Sequence, residues 1–139
     1  MEQTIAEYDS IIEKCEDIFA KKMKDYGSAW TILRISSLTD QIFIKAQRIR
    51  SIEQKGVQKI EEDISNEFVG IVNYAIIGLI QLDLGVSELA VEMDCNEVMN
   101  IFKKHANIAK KLMMNKNHDY GEAWRDMRVS SLTDLILQK

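Results

Sequence analysis

An all-α fold is predicted by three observations. The chain has 139 residues with no proline and only six glycines. Its abundant Leu, Ile, Glu, Lys, Met and Ala favour helix. Apolar residues recur three and four positions apart along most of its length, the period of a helix with one buried face. The third observation is a segment written twice. Residues 22–45 read KMKDYGSAWTILRISSLTDQIFIK and residues 116–139 read KNHDYGEAWRDMRVSSLTDLILQK. More than half of the aligned positions match without a gap, which marks a repeated structural unit. The expected architecture is a helical bundle from a tandem helical repeat, with the second repeat truncated. A first repeat spans 1–85, a linker 86–95 and an incomplete second repeat 96–139, together forming one compact unit.

Each element has its own signal. Ile5, Tyr8, Ile12, Cys15, Phe19 and Met23 form one stripe, so helix 1 is expected from about Gln3 to Tyr26. Gly27 suits a left-handed C-cap. Ala29 to Ile35 is a connector carrying Trp30. Ser37-Leu-Thr-Asp40 reads as a capping box, so helix 2 is expected from near Ser37 to about Gln54, burying Leu38, Ile42, Ala46, Ile49 and Ile52. Helix 3 is expected from about Gln58 to Leu84. It is apolar nearly all round in its second half and should be the core helix. Gly70, Asn73, Gln81 and Asp83 interrupt its apolar run, which argues against a membrane span. Gly85 to Cys95 reads as a linker with room for a helical turn. Val98, Phe102, His105, Ala109 and Leu112 predict helix 4 from about Asn96 to Asn117, capped at Gly121 as helix 1 is at Gly27. Helix 5 opens at Ser131 and is too short to be stable unless it is packed or continued.

Composition narrows the function classes. A net charge of −4 gives no general nucleic-acid signal. Cys15 and Cys95 are isolated thiols without ligand spacing, and no signal peptide is visible, so a reducing cytoplasm is expected. No nucleophile triad, zinc or P-loop pattern is present. His105 lies on an apolar stripe and reads as a packed histidine. His118 stands where the first copy has Lys24, so it is not a shared catalytic residue.

The repeated polar residues are the functional candidates. Both copies carry Asp25/Asp119, Tyr26/Tyr120, Trp30/Trp124, Arg34/Arg128, Ser36/Ser130, Ser37/Ser131, Thr39/Thr133, Asp40/Asp134 and Lys45/Lys139. One reading is structural: glycine and serine cap helices, Trp fills the space between them, and Asp25 or Asp40 pairs with Arg34. The other is a nucleotide or phosphate site. Free N–H groups at a helix N-terminus favour phosphate, with Arg34, Lys45 and Arg48 adding charge. Tyr26 and Trp30 could stack a base. Asp25, Asp40 and Glu62 are candidate metal ligands or bases. Asp63 and Glu67 fall one turn apart on a helix face, where Mg²⁺ can bind if phosphates complete its shell. An exposed acidic first turn that simply complements the helix dipole is the favoured reading of them.

At the level of DYGxAW…SSLTDxIxxK, the chain resembles the first of the nucleotide modification associated domains of bacteria and phages. The resemblance covers residues 14–82 and 107–139, and is nearest to members with two tandem copies, which are longer than this chain. It implies that the end of the second copy is lacking. It also implies an acidic series before the Asn-Tyr of the last helix, forming a Mg²⁺ face like that of all-α nucleotide pyrophosphohydrolases. The matching positions here are Glu62, Asn66 and Gly70, so only Glu62 keeps its acid. The functional expectation is a nucleotide- or phosphate-handling protein, pyrophosphohydrolase-like if it is an enzyme. The alternative is a non-catalytic helical scaffold or regulatory protein with a degenerate site. The truncated second copy should expose apolar surface, and a homodimer is the expected assembly.

Overall fold

The computed structural model describes residues 1–56 and 64–139. They form five helices: α1 (Glu2–Tyr26), α2 (Ile35–Lys55), α3 (Ile64–Leu84), α4 (Cys95–Tyr120) and α5 (Val129–Gln138). Short 3₁₀ turns, Ala29–Ile32 and Ala123–Asp126, join α1 to α2 and α4 to α5. There is no strand among the described residues, and the molecule is an all-α helical bundle. The expected start of helix 3 near Gln58, with Glu62 and Asp63, lies outside the described residues.

Two local expectations are corrected. Ser37 and Ser131 are not N-caps. Helices α2 and α5 begin two residues earlier than predicted, with Arg34 and Arg128 as extended cap residues and no side-chain cap bond. The first helical bond already runs from Leu38 N–H to the Arg34 carbonyl at 3.1 Å. The nearby threonines serve carbonyls instead: Thr39 donates to Ile35 at 2.9 Å and Thr133 to Val129 at 3.1 Å, a local alternative open to Ser and Thr. Gly27 and Gly121 end their helices at positive φ, 62° and 74°, but with ψ of −146° and −167°. They therefore leave the helix through an extended conformation reserved for glycine, not through the left-handed cap expected. The linker forms no helical turn. It runs along the first turn, where Ser87 N–H bonds the Thr31 carbonyl and Met93 N–H bonds Ser28 Oγ.

α3 is the core helix, as its composition predicts. It packs against α1, α2 and α4. Val69, Ile76, Ile77 and Ile80 join Cys15, Phe19, Met23, Leu38, Val98 and Phe102 in one cluster. Each large side chain in it contributes about 1.5–3 kcal/mol by burial. Length and apolar composition alone would also let α3 cross a membrane. In this fold its buried residues include Glu67, Asn73 and Gln81, which meet polar partners on α2, on α1 and in the turn joining them.

α1 and α4 lie side by side in opposite directions. Thr4 donates to Glu122, Tyr8 OH donates to the Ala106 carbonyl at 2.7 Å, and Phe19 meets Phe102 at 5.1 Å. His105 is buried, with Nε2 2.9 Å from Asp83 Oδ2 but not aligned for a hydrogen bond. It thus pins α4 to the end of α3, in keeping with a packed histidine. α5 rests on α2: Ile136 and Leu137 cover Ala46 and Ile49, and Thr133 bonds Glu53 at 3.1 Å.

Candidate functional site

The two copies of the DYG–Trp segment fold alike and then meet different surroundings. In each, the indole N–H reaches back seven residues: Trp30 donates to Met23 Sδ at 3.2 Å and Trp124 to Asn117 Oδ1 at 3.1 Å. Both bonds hold the 3₁₀ turn against the preceding helix. The indole donor is common to both copies, whereas the acceptor is Met23 in the first and Asn117 in the second.

The first elbow is closed by α3. Gln81 Nε2 lies within 3.1 Å of the Trp30 carbonyl, 2.8 Å of Thr31 and 3.0 Å of Leu33. Trp30 packs on Phe19, with ring centroids 6.5 Å apart. Tyr26, by contrast, is 74% exposed. Trp30 is half-buried against the core cluster while Tyr26 is exposed, so the two residues expected to stack a base lie in different surroundings.

The second elbow is open. No helix equivalent to α3 covers it among the described residues. A groove of about 460 Å³ is lined by Ala109, Leu112, Met113, Lys116, Asn117, Tyr120, Gly121 and Trp124. Leu112 is 55% and Trp124 37% exposed. Asn117 is 91% buried, and its Nδ2 has no acceptor. A buried amide donor without a partner costs about 1–3 kcal/mol, so it favours a ligand that supplies an oxygen or ring nitrogen. Arg125 lies over the Trp124 ring at 4.9 Å and is held by Thr4 and Glu7 of α1. Trp124 lines the groove and Arg125 does not.

The predicted ionic residues separate into two groups. Lys45 and Arg48 are occupied: both reach the carboxylate of Glu67, at 3.5 and 3.6 Å. Glu67 is buried, so it is not part of an exposed acidic face; Glu61, Glu62 and Asp63 lie outside the described residues. The Lys45 stem crosses α3 at Gly70, where a Cβ would lie 2.6 Å from Lys45 Cε, and its ammonium stands 5.8 Å over the Tyr74 ring. Gly70, where the resemblance led us to expect an acid, thus lets a lysine pass. Asp134 faces Arg50 at a long 3.9 Å, and Asp119 pairs with His118 at 3.1 Å.

Arg34, Arg128, Asp25 and Asp40 are exposed and make no ion pair among the described residues, so the anticipated Asp–Arg34 pair is absent. Ser36 and Ser130 are exposed, Ser37 and Ser131 are half-buried, and Lys139 meets no carboxylate among the described residues. No group of three metal-ligating side chains is found among the described residues. Glu62, the candidate metal ligand, lies outside them.

Sequence reasoning missed Gln81 and Asn117. The signal for Asn117 was available: aligned copies place it opposite Met23, a polar residue at a position that is core in the first copy. Gln81 had no such signal, because the second copy has no counterpart to it.

Four groups have shifted acidities. The Thr4 hydroxyl holds the Glu122 carboxyl below its ordinary range, while burial pushes the Tyr8 phenol, the Cys15 thiol and the Glu16 carboxyl up. None of the four lines the open groove.

The chain matches the model of a family described as nucleotide modification associated domain 1 over residues 22–82 and 116–139. No curated protein and no solved structure matches it. The matched segments contain both elbows, most of α2 and α3, and the Lys45–Gly70 crossing. They cover more than half of the chain, which therefore belongs to the nucleotide modification associated domain 1 family.

Proposed function

We propose that the protein binds a nucleotide or a related phosphorylated small molecule at the second elbow. The observation that carries this reading is the unpartnered Asn117 Nδ2 in an otherwise apolar groove flanked by Tyr120, Trp124 and Lys116. A base edge offers the acceptor that Asn117 lacks, and its faces suit the aromatic side chains. Lys116 supplies charge to a phosphate. Pockets that combine apolar walls with a few placed polar groups are the usual form of small-molecule sites. The family description points toward nucleotides and is compatible with this chemistry.

Binding is better supported than hydrolysis. The buried carboxylate of Glu67 is already neutralised by Lys45 and Arg48. Mg²⁺-dependent pyrophosphohydrolase chemistry would need Glu62 together with acids that positions 66 and 70 do not supply. The first elbow, filled by its own core, has a structural role.

Thermal shift against a nucleotide panel, with and without Mg²⁺, tests the proposal. A ligand at one hundred times its Kd adds about 2.7 kcal/mol to the folded state. Stabilisation that disappears in Asn117→Met supports the site. No stabilisation by any nucleotide, or an equal effect in Asn117→Met, would sink it.

A further inference from the structure

We propose that residues 85–94, the segment joining α3 to α4, form a strap that lifts off the first elbow as a unit while the helical bundle stays folded, and that Ser28 and Thr31 are the catches that hold it shut. Both ends of the strap are fixed. At one end the Gly85 N–H bonds the Gln81 carbonyl at 2.8 Å and closes α3. At the other, the Asp94 carboxylate caps α4 by accepting from the Glu97 N–H at 3.3 Å. Between them, three backbone N–H groups meet the elbow. Ser87 donates to the Thr31 carbonyl at 3.0 Å, Val91 to Thr31 Oγ1 at 3.0 Å and Met93 to Ser28 Oγ at 3.2 Å. The two catches are themselves joined, because the Thr31 hydroxyl donates to the Ser28 carbonyl at 2.8 Å. That bond uses the hydroxyl's one hydrogen and leaves its lone pairs to Val91.

Lifting the strap disturbs little apolar packing. Val86, Leu89 and Val91 are 46%, 82% and 48% exposed, so much of their apolar surface is already in water. Of the strap's side chains, Met93 packs on the core cluster. The polar groups set free are also provided for. The Thr31 carbonyl keeps the Gln81 side chain, 2.8 Å away, while the freed hydroxyls and N–H groups pass to water. The elbow has supports of its own: Gln81 holds the carbonyls of Trp30 and Leu33, and the Trp30 indole bonds Met23. A segment with few buried contacts and few bonds opens at a lower free energy than the whole fold.

The catches are not part of the repeated motif. The aligned residues of the second copy are Glu122 and Arg125. Glu122 accepts from Thr4, and Arg125 donates to Thr4 and Glu7, so this elbow holds the first turns of α1 in place of a strap. At these two positions, small hydroxyls select the strap and charged side chains select α1. The strap is therefore a device of the first elbow. Its opening turns Ser28 and Thr31, 5% and 4% exposed when it is shut, into an accessible hydroxyl edge, while Trp30 stays under α3. The inference is independent of ligand binding at the second elbow.

Native-state amide exchange of the full chain, read residue by residue by NMR across low urea concentrations, tests it. Ser87, Val91 and Met93 should share one opening equilibrium with little urea dependence, and their protection should lie about tenfold or more below that of Phe102 in the core. Ser28→Ala removes the acceptor of Met93 only. It should nevertheless lower the protection of all three amides by one common factor, about threefold to tenfold, because one bond is lost from a cooperative unit. Unequal openings of the three amides, or a Ser28→Ala effect confined to Met93, overturns the inference, since the bonds would then break one by one. Protection equal to that of Phe102 at every urea concentration overturns it too, since the strap would then open only with the whole fold. So does an unchanged protection of all three amides in Ser28→Ala, which would remove Ser28 as a catch.

Discussion

The two elbows carry almost the same residues, yet α3 closes over one and the other borders an open groove. In the first, Trp30 touches Phe19 and lies under the three-way anchor of Gln81. In the second, Trp124 makes the same backward hydrogen bond but borders an open groove. The local conformation is therefore dictated by the motif, whereas the degree of burial is dictated by α3, a helix outside the motif. A residue present in both copies can be structural in one and available for binding in the other. This separates what the DYG–Trp segment does for itself from what it could do for a ligand.

The contrast can be broken or sharpened by substitution. The largest effect is expected from truncating the two tryptophans. Trp30→Ala should cost about 3 kcal/mol, the low end for large aromatic truncations because Trp30 is half-buried, whereas Trp124→Ala should cost about 1 kcal/mol, as for a more exposed side chain. Urea denaturation of both variants checks this, and equal losses would mean that the second elbow is as closed as the first.

Next is Gln81→Ala. It leaves the carbonyls of Trp30, Thr31 and Leu33 without their shared donor and should cost about 2–3 kcal/mol, with amide exchange accelerated at the first elbow and unchanged at the second.

Glu67→Gln should cost less, about 1–2 kcal/mol. It removes the counter-charge of Lys45 and Arg48, but Arg48 remains well solvated. The loss should show in the urea midpoint without a change in slope.

The smallest effect concerns the dock between α1 and the second elbow. The folded-state pKa of Glu122 is depressed by the Thr4 hydroxyl. Its stabilising contribution is therefore complete above the ordinary carboxylate range and is lost as pH falls through the depressed value. Thr4→Ala should flatten that acid limb in a pH series of melting temperatures. An unchanged acid limb would mean that the Thr4–Glu122 bond contributes nothing.

How much of this was legible beforehand differs by level. The five helices followed from apolar spacing, and α3 was identifiable as the core helix because Ile71, Ile76, Ile77 and Ile80 leave it little polar face. Helix starts were less legible. Ser37 and Ser131 have the composition of caps, but the helices begin one half-turn earlier and the neighbouring threonines turn to carbonyls.

The candidate site was legible only in part. The repeat drew attention to Trp124 and Tyr120, and both line the groove. It also drew attention to Lys45, whose burial against Glu67 and Gly70 depends on how α2 crosses α3. That crossing is a tertiary fact, and neither helix encodes it alone. Asn117 was overlooked because residues that differ between copies look like noise until one environment is seen to be filled and the other empty.

The difference between the elbows can be measured directly with single-tryptophan variants. In Trp30→Phe only Trp124 reports, and in Trp124→Phe only Trp30. Acrylamide quenching of the folded proteins should be more efficient for Trp124, with an emission maximum to the red of Trp30. Equal quenching and coincident emission would contradict the account, because they would show that the second elbow is shielded as completely as the first.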